Sequence, residues 1–161
     1  MVGTGAIRTE DSLAYAEAAR AIGADANLVG SPPYALPTSR EIAEHVLVVD
    51  RAAGLPIMLY NYPARMGVEM DGRSSRRRRQ SAATSSRSRK APAPPWHRLA
   101  CRHPRIALSC GWDDQAPGFF AWGARSWVCA GSNFIPGEHL ALYQACVVEN
   151  DLPGPAHHGG G

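Results

Sequence analysis

Short apolar segments alternate with longer stretches of helical periodicity towards both ends of this chain, and that rhythm limits the folds open to it. Asn27-Leu28-Val29-Gly30 and Pro56-Ile57-Met58-Leu59-Tyr60 are too short for helices and show no polar alternation, as expected of strands covered on both faces. Before the first of them, over residues 9–23, Leu13, Ala16, Ala19 and Ile22 recur at helical spacing. Thr9 is expected to cap that helix, with Glu10 and Asp11 in its first turn and Gly23 closing it. Before the second, Thr38-Ser39-Arg40-Glu41 has the form of a capping box, opening a helix through Ile42, Val46, Val49 and Ala52 to Gly54. The pattern returns late, with strands expected over 106–110 and 126–130, a helix over 113–122 and an amphipathic helix over 136–148. Repeated βα units predict an α/β fold with a parallel sheet, whose chemistry gathers at the C-terminal strand ends. The candidate site loops are therefore residues 3–5, 31–34, 60–65, 111–114 and 131–133.

The rhythm fails in the middle. From Gly72 to Trp112 the chain holds 11 of its 17 basic residues and none of its 14 acids. The remainder, six basic residues against 14 acids, carries −8, although the whole chain is +3. Residues 72–95 are Arg, Ser, Ala and Pro with almost nothing apolar, so neither strand nor amphipathic helix can be written there and disorder is expected.

Composition elsewhere is ordinary. With 161 residues, 45% hydrophobic and 7% aromatic, the chain can build one core. No apolar run approaches the roughly 20 residues of a membrane-spanning helix, and Met-Val-Gly-Thr-Gly opens no signal peptide. The expected location is the cytoplasm, with no membrane partner. Cys101, Cys110, Cys129 and Cys146 form no C-x-x-C pair and are expected as free thiols. His97, Cys101 and His103 can be drawn as a cluster, but their spacing matches no zinc pattern, so no metal site is expected. The runs at 76–79 and 87–90 offer an alternative function, a non-catalytic basic protein that binds nucleic acid in a salt-sensitive way. No aromatic residues interleave with them, which argues against a specific reader.

Several segments together resemble the family of dihydrodipicolinate synthase and N-acetylneuraminate lyase. They are Gly3-Thr4-Gly5, Ser31-Pro32-Pro33-Tyr34 and above all Leu59-Tyr60-Asn61-Tyr62-Pro63-Ala64-Arg65-Met66-Gly67, with Ser109-Cys110-Gly111-Trp112-Asp113-Asp114 and Gly131-Ser132-Asn133 further on. The resemblance covers residues 2–71 and 99–151. It implies a (β/α)8 TIM barrel, homotetrameric as a rule, and a class I aldolase that holds pyruvate as a Schiff base on a lysine without metal or organic cofactor. Tyr60 is then the strand-end phenol that moves a proton to and from the pyruvate-derived carbon. Arg65 holds the carboxylate of an aldehyde substrate, a task suited to a permanently charged, bidentate guanidinium. Tyr34 resembles the tyrosine that extends the proton relay, in many members across a subunit interface. Without the resemblance, Tyr60 reads as a packed tyrosine at a strand edge and Arg65 as a surface residue.

Two departures follow. The chain is expected to start where the family's third strand ends, so the first two βα units and the threonine-rich loop for the pyruvate carboxylate are missing. The Schiff-base lysine is expected at Ser88, and the only lysine in the sequence is Lys90. The chain as written is therefore expected to be inactive, and its open sheet edges to favour aggregation.

A shifted reading frame accounts for the gap. If each new codon takes the last base of one residue and the first two of the next, TCN serines force apolar residues at Thr84/Ser85, Ser85/Ser86 and Arg87/Ser88. One solution across 83–93 is Asn-Phe-Val-Ala-Ile-Lys-Glu-Ser-Ser-Gly, the family's sixth strand with its lysine spanning Ser88 and Arg89. A one-base change near Gly72, compensated near Trp96 to Leu99, explains the absent acids, the arginines and the lost strand together. The tail, including His157 and His158, can be read as a second shifted segment. The expected organisation is thus βα units over 1–71 resembling barrel strands 3–5, a shifted basic segment over 72–98 with a disrupted fifth helix and sixth strand, βα units over 99–152 resembling strands 7–8, and a shifted tail over 153–161.

Overall fold

The computed structural model describes residues 1–70, the backbone of 80–84, and residues 106–151. The chain divides into two compact units, Met1–Leu108 and Ser109–Gly161.

In the first unit four parallel strands lie side by side in chain order: β1 (Val2–Gly3), β2 (Asn27–Gly30), β3 (Ile57–Asn61) and β4 (Gln80–Thr84). Helices α1 (Thr9–Ala21) and α2 (Ser39–Ala53) make the first two crossovers, and the short α3 (Pro63–Met66) follows β3. Neighbours are in register, with Gly30 opposite Tyr60 and Tyr60 opposite Ala83. Because strand side chains alternate, Val29, Ile57, Leu59 and Asn61 share the face that packs into the core with Ala16, Ile42, Val46, Val49 and Ala53. Leu28, Met58 and Tyr60 lie on the opposite, half-buried face.

Helix α2 follows the expectation closely. Thr38 Oγ1 accepts from the Glu41 N–H, Glu41 Oε2 accepts from the Thr38 N–H at 2.7 Å, and Gly54 ends the helix at φ 63°. Helix α1 departs from it. Its N-cap is Arg8 rather than Thr9, and no side chain caps it. The Thr9 hydroxyl lies instead 3.0 Å from His45 Nδ1 on α2. Ile22, counted among the residues recurring at helical spacing, is 76% exposed, because it follows the last helical turn just ahead of Gly23.

Strand β4 is a larger correction, since residues 80–84 fall in the segment expected to hold no strand. Pairing draws on backbone N–H and C=O groups, which the free edge of β3 supplies, so the segment needs no apolar pattern. The rest of that segment and the tail, with Ser88, Lys90, His97, Cys101, His103, His157 and His158, lie outside the described residues.

The second unit begins within β5 (Leu108–Cys110), whose Ser109 and Cys110 pair in parallel with β6 (Ser126–Trp127). A 3-10 turn (Asp113–Gln115) leads into α4 (Ala116–Ala121), and a second 3-10 turn (Gly131–Asn133) precedes α5 (Pro136–Tyr143), which continues as a π-type turn (Gln144–Val148). Both strands are shorter than expected. Helix α5 buries none of its residues and Leu140 is 66% exposed, so the expected inward apolar face is not formed; Cys146 alone is buried in its continuation. Packing rests on aromatic rings. Phe120 meets Trp127 and Tyr143 edge to face, and Tyr143 donates through its hydroxyl to the Arg125 carbonyl at 2.8 Å.

His45 makes the first unit sensitive to pH. The ring is buried, its Nε2 has no hydrogen-bond partner among the described residues, and burial pushes its pKa below the ordinary histidine value. The unfolded chain therefore takes up a proton first as pH falls. Stability is full above the unfolded pKa of about 6.5 and declines below it until the folded pKa is reached. The urea midpoint is expected to drop between about pH 7.5 and pH 5.5, and His45→Leu to flatten that slope. An identical slope in the variant would place the effect elsewhere.

Candidate functional site

Strand β3 ends by presenting Tyr60 and Asn61 to opposite faces, and the turn after it brings the other polar residues of the segment together. Tyr60 and Tyr62 rings meet edge to face with centroids 6.1 Å apart, and the Arg65 guanidinium lies 5.9 Å from the Tyr62 ring centre. Burial pushes the Tyr60 pKa up, Tyr62 adds to that, and the Arg65 charge works against it. Tyr60 is therefore a neutral phenol at physiological pH, able to donate a proton. Arg65 is exposed, so an anion can reach its guanidinium.

Asn61 holds this turn in place. Its Oδ1 accepts from the Met70 N–H at 3.1 Å and its Nδ2 donates to the Met70 carbonyl at 3.4 Å, so the loop is tied back to the core at both ends. Gly67 closes α3 at φ 69°, in the left-handed region that favours glycine. Tyr34 lies in the loop after β2, 90% exposed and at φ 64°. The structure thus groups Tyr60 and Arg65, with Tyr62 between them, and leaves Tyr34 facing solvent. Sequence reasoning overlooked Tyr62 as the link, although it lies inside the same motif. At the neighbouring strand ends, Thr4 Oγ1 and Ser31 Oγ are buried without a hydrogen-bond partner among the described residues. Strand β4, alongside β3, reads Gln-Ser-Ala-Ala-Thr and contributes no lysine.

The second unit brings together Asp113, Cys129 and His139, after β5, after β6 and on α5 respectively. Asp113 Oδ2 accepts from the Gly131 N–H at 2.7 Å and Oδ1 from the Trp127 indole at 3.2 Å. Partial burial opposes the Asp113 charge, but the Gly131 and Ala130 N–H groups, the Cys129 thiol and the Trp127 indole together hold its pKa below the usual carboxylate value. Burial pushes the Cys110 thiol up to about 11, the Trp112 N–H donating to its sulfur at 3.5 Å works the other way, and Asp113 and Asp114 reinforce the rise. Cys110 is therefore a protonated thiol and no nucleophile.

The model of the dihydrodipicolinate synthetase family matches residues 1–150. The 4-hydroxy-tetrahydrodipicolinate synthase of Mesorhizobium japonicum is 33% identical over 155 residues, covering 94% of this chain and 52% of that protein. The crystal structure of dihydrodipicolinate synthase from Aquifex aeolicus superposes with a TM-score of 0.82 at 26% identity, covering 93% and 52%. That of the Acinetobacter baumannii enzyme in complex with pyruvate superposes with a TM-score of 0.80 at 24% identity, covering 93% and 53%, which speaks to fold alone. The chain spans about half the length of the relatives it matches, as a partial barrel does.

Proposed function

The chain belongs to the dihydrodipicolinate synthetase family, and we propose that its first unit carries the proton-moving and aldehyde-holding residues of a pyruvate-dependent aldolase-type site, without the amine that completes it. In such a site a lysine condenses with the ketone of pyruvate and releases water. The protonated imine draws electrons from the methyl carbon, which gives up a proton; the resulting enamine attacks an aldehyde, and water returns the lysine. Tyr60, neutral and half-buried at a strand end, is suited to pass that proton. Arg65 offers two parallel N–H groups to the aldehyde's carboxylate. Tyr34, fully outside the first unit's core, is suited to act at a contact with another subunit of a homotetramer.

The grouping of Tyr60 with Arg65 at the C-terminal end of a parallel strand is the observation that carries this reading. The missing amine is supported by the sequence: no lysine stands on β4, and Lys90 is the only one in the chain. A shifted frame between Gly72 and Leu99, with the ancestral lysine spanning Ser88 and Arg89, accounts for both facts. Borohydride reduction in the presence of pyruvate, followed by peptide mapping, is expected to give no adduct on Lys90; a covalent adduct there would overturn the inactivity. Resequencing the gene over codons 70–100 and 150–161 tests the frame, and an intact reading with no shifted coding potential would remove it.

A further inference from the structure

Asp113, Cys129 and His139 bring one carboxylate oxygen, one sulfur and one ring nitrogen to within 4.8 Å of one another, and we propose that they form a zinc-class cation site, separate from the aldolase residues of the first unit. A tetrahedral zinc with bonds of about 2.0–2.3 Å separates its ligand atoms by about 3.3–3.8 Å, so closing on the ion requires only small side-chain rotations. The donor set is mixed. Thiolate and imidazole select a thiophilic ion of the zinc type, and exclude calcium or magnesium, which take oxygen ligands.

The surroundings are those that ligands need. His139 Nδ1 lies 2.8 Å from the Ile135 carbonyl, which accepts only if Nδ1 is protonated. That fixes the tautomer and leaves the Nε2 lone pair for the ion. The ring is also held against Trp127, with centroids 4.9 Å apart. Asp113 is oriented by Trp127 and Gly131, and the Cys129 thiol already hydrogen-bonds to its carboxylate, so the ion would take the place of that thiol proton between them. Cys129 Sγ accepts from the Ser132 N–H at 3.2 Å, which holds the sulfur in place. Gly131 keeps the space open: a Cβ there would lie 2.6 Å from His139 Nε2 and 3.2 Å from Asp113 Oδ2. Three protein ligands leave a fourth position for water. Binding exchanges the thiol proton, released to solvent, for a Zn–S bond and involves no redox step. It would tie the ends of β5 and β6 to α5.

Cobalt(II) serves as the spectroscopic probe and zinc(II) as competitor, both added to the full chain. One equivalent of cobalt is expected to give a thiolate-to-cobalt charge-transfer band that zinc abolishes, and zinc is expected to raise the melting temperature until chelator is added. Cys129→Ser should remove the band. His139→Gln and Gly131→Ala keep the cysteine and are expected to weaken zinc binding, the first by more than the ~10–100-fold that a lost outer partner costs. A chain in which His97, Cys101, His103, His157 and His158 are all replaced should bind as before. The proposal fails if the intact chain gives no such band, if Cys129→Ser and His139→Gln both retain it, or if the five-residue replacement removes it.

Discussion

Phe120→Ala is expected to cost the second unit about 3–5 kcal/mol, enough to unfold a unit of this size. The side chain is 3% exposed and is the point at which three elements meet. It projects from α4 onto Trp127 of β6 at 5.9 Å and onto Tyr143 of α5 at 5.8 Å, in both cases edge to face. Alanine removes the ring's buried area and both ring contacts together, and the flanking aromatics are too rigid to collapse into the space. Helix α5 suffers most, since none of its own side chains is buried and Tyr143 is one of its few anchors. Urea unfolding followed by tryptophan fluorescence reports on this unit through Trp112, Trp122 and Trp127. A midpoint shift equivalent to under about 1 kcal/mol would mean that Phe120 is not the hub the geometry makes it.

The elements that could be read from sequence are those whose signals are local. The capping box at Thr38 and the spacing of Ile42, Val46 and Val49 set both the start and the buried face of α2, and both emerged as expected. The short apolar runs of β2 and β3 were equally plain. Thr9 misled because its hydroxyl is engaged by His45, 36 residues away, a contact no local pattern records. Strand β4 was invisible because its pairing uses only backbone groups, while hydrophobic pattern reports on side chains. In the candidate site, Tyr60 and Arg65 lie near one another because both belong to one strand and the turn after it, with Tyr62 touching each. The grouping of Asp113, Cys129 and His139 had only half a signal. The strand-end rule pointed to residues 111–114 and 131–133, but the fold alone brings His139 back from α5 to meet them.

Asn61→Leu is expected to destabilise the first unit by about 2–4 kcal/mol, because it leaves the buried Met70 N–H and carbonyl without partners at about 1–3 kcal/mol each. Leucine is similar in volume, so the loss is one of hydrogen bonding rather than of packing. The consequence reaches the site through the turn. Residues 61–70 are pinned to the core by Asn61 at one end and by Met70, 8% exposed, at the other, and Arg65 lies between. With the pin removed, the turn opens more often, and trypsin should cut after Arg65 faster than global unfolding permits. Asn61→Asp separates the two bonds: its oxygen still accepts from the Met70 N–H, but the second oxygen faces the Met70 carbonyl, and the buried carboxylate resists ionisation. Protonated, it can donate to that carbonyl, so this variant should regain stability as pH falls, whereas Asn61→Leu should not. Limited proteolysis and urea unfolding across pH distinguish the three chains. If Asn61→Leu leaves both the midpoint and the cleavage rate at Arg65 unchanged, the asparagine does not position the turn, and its place in the motif must be explained by direct contact with substrate.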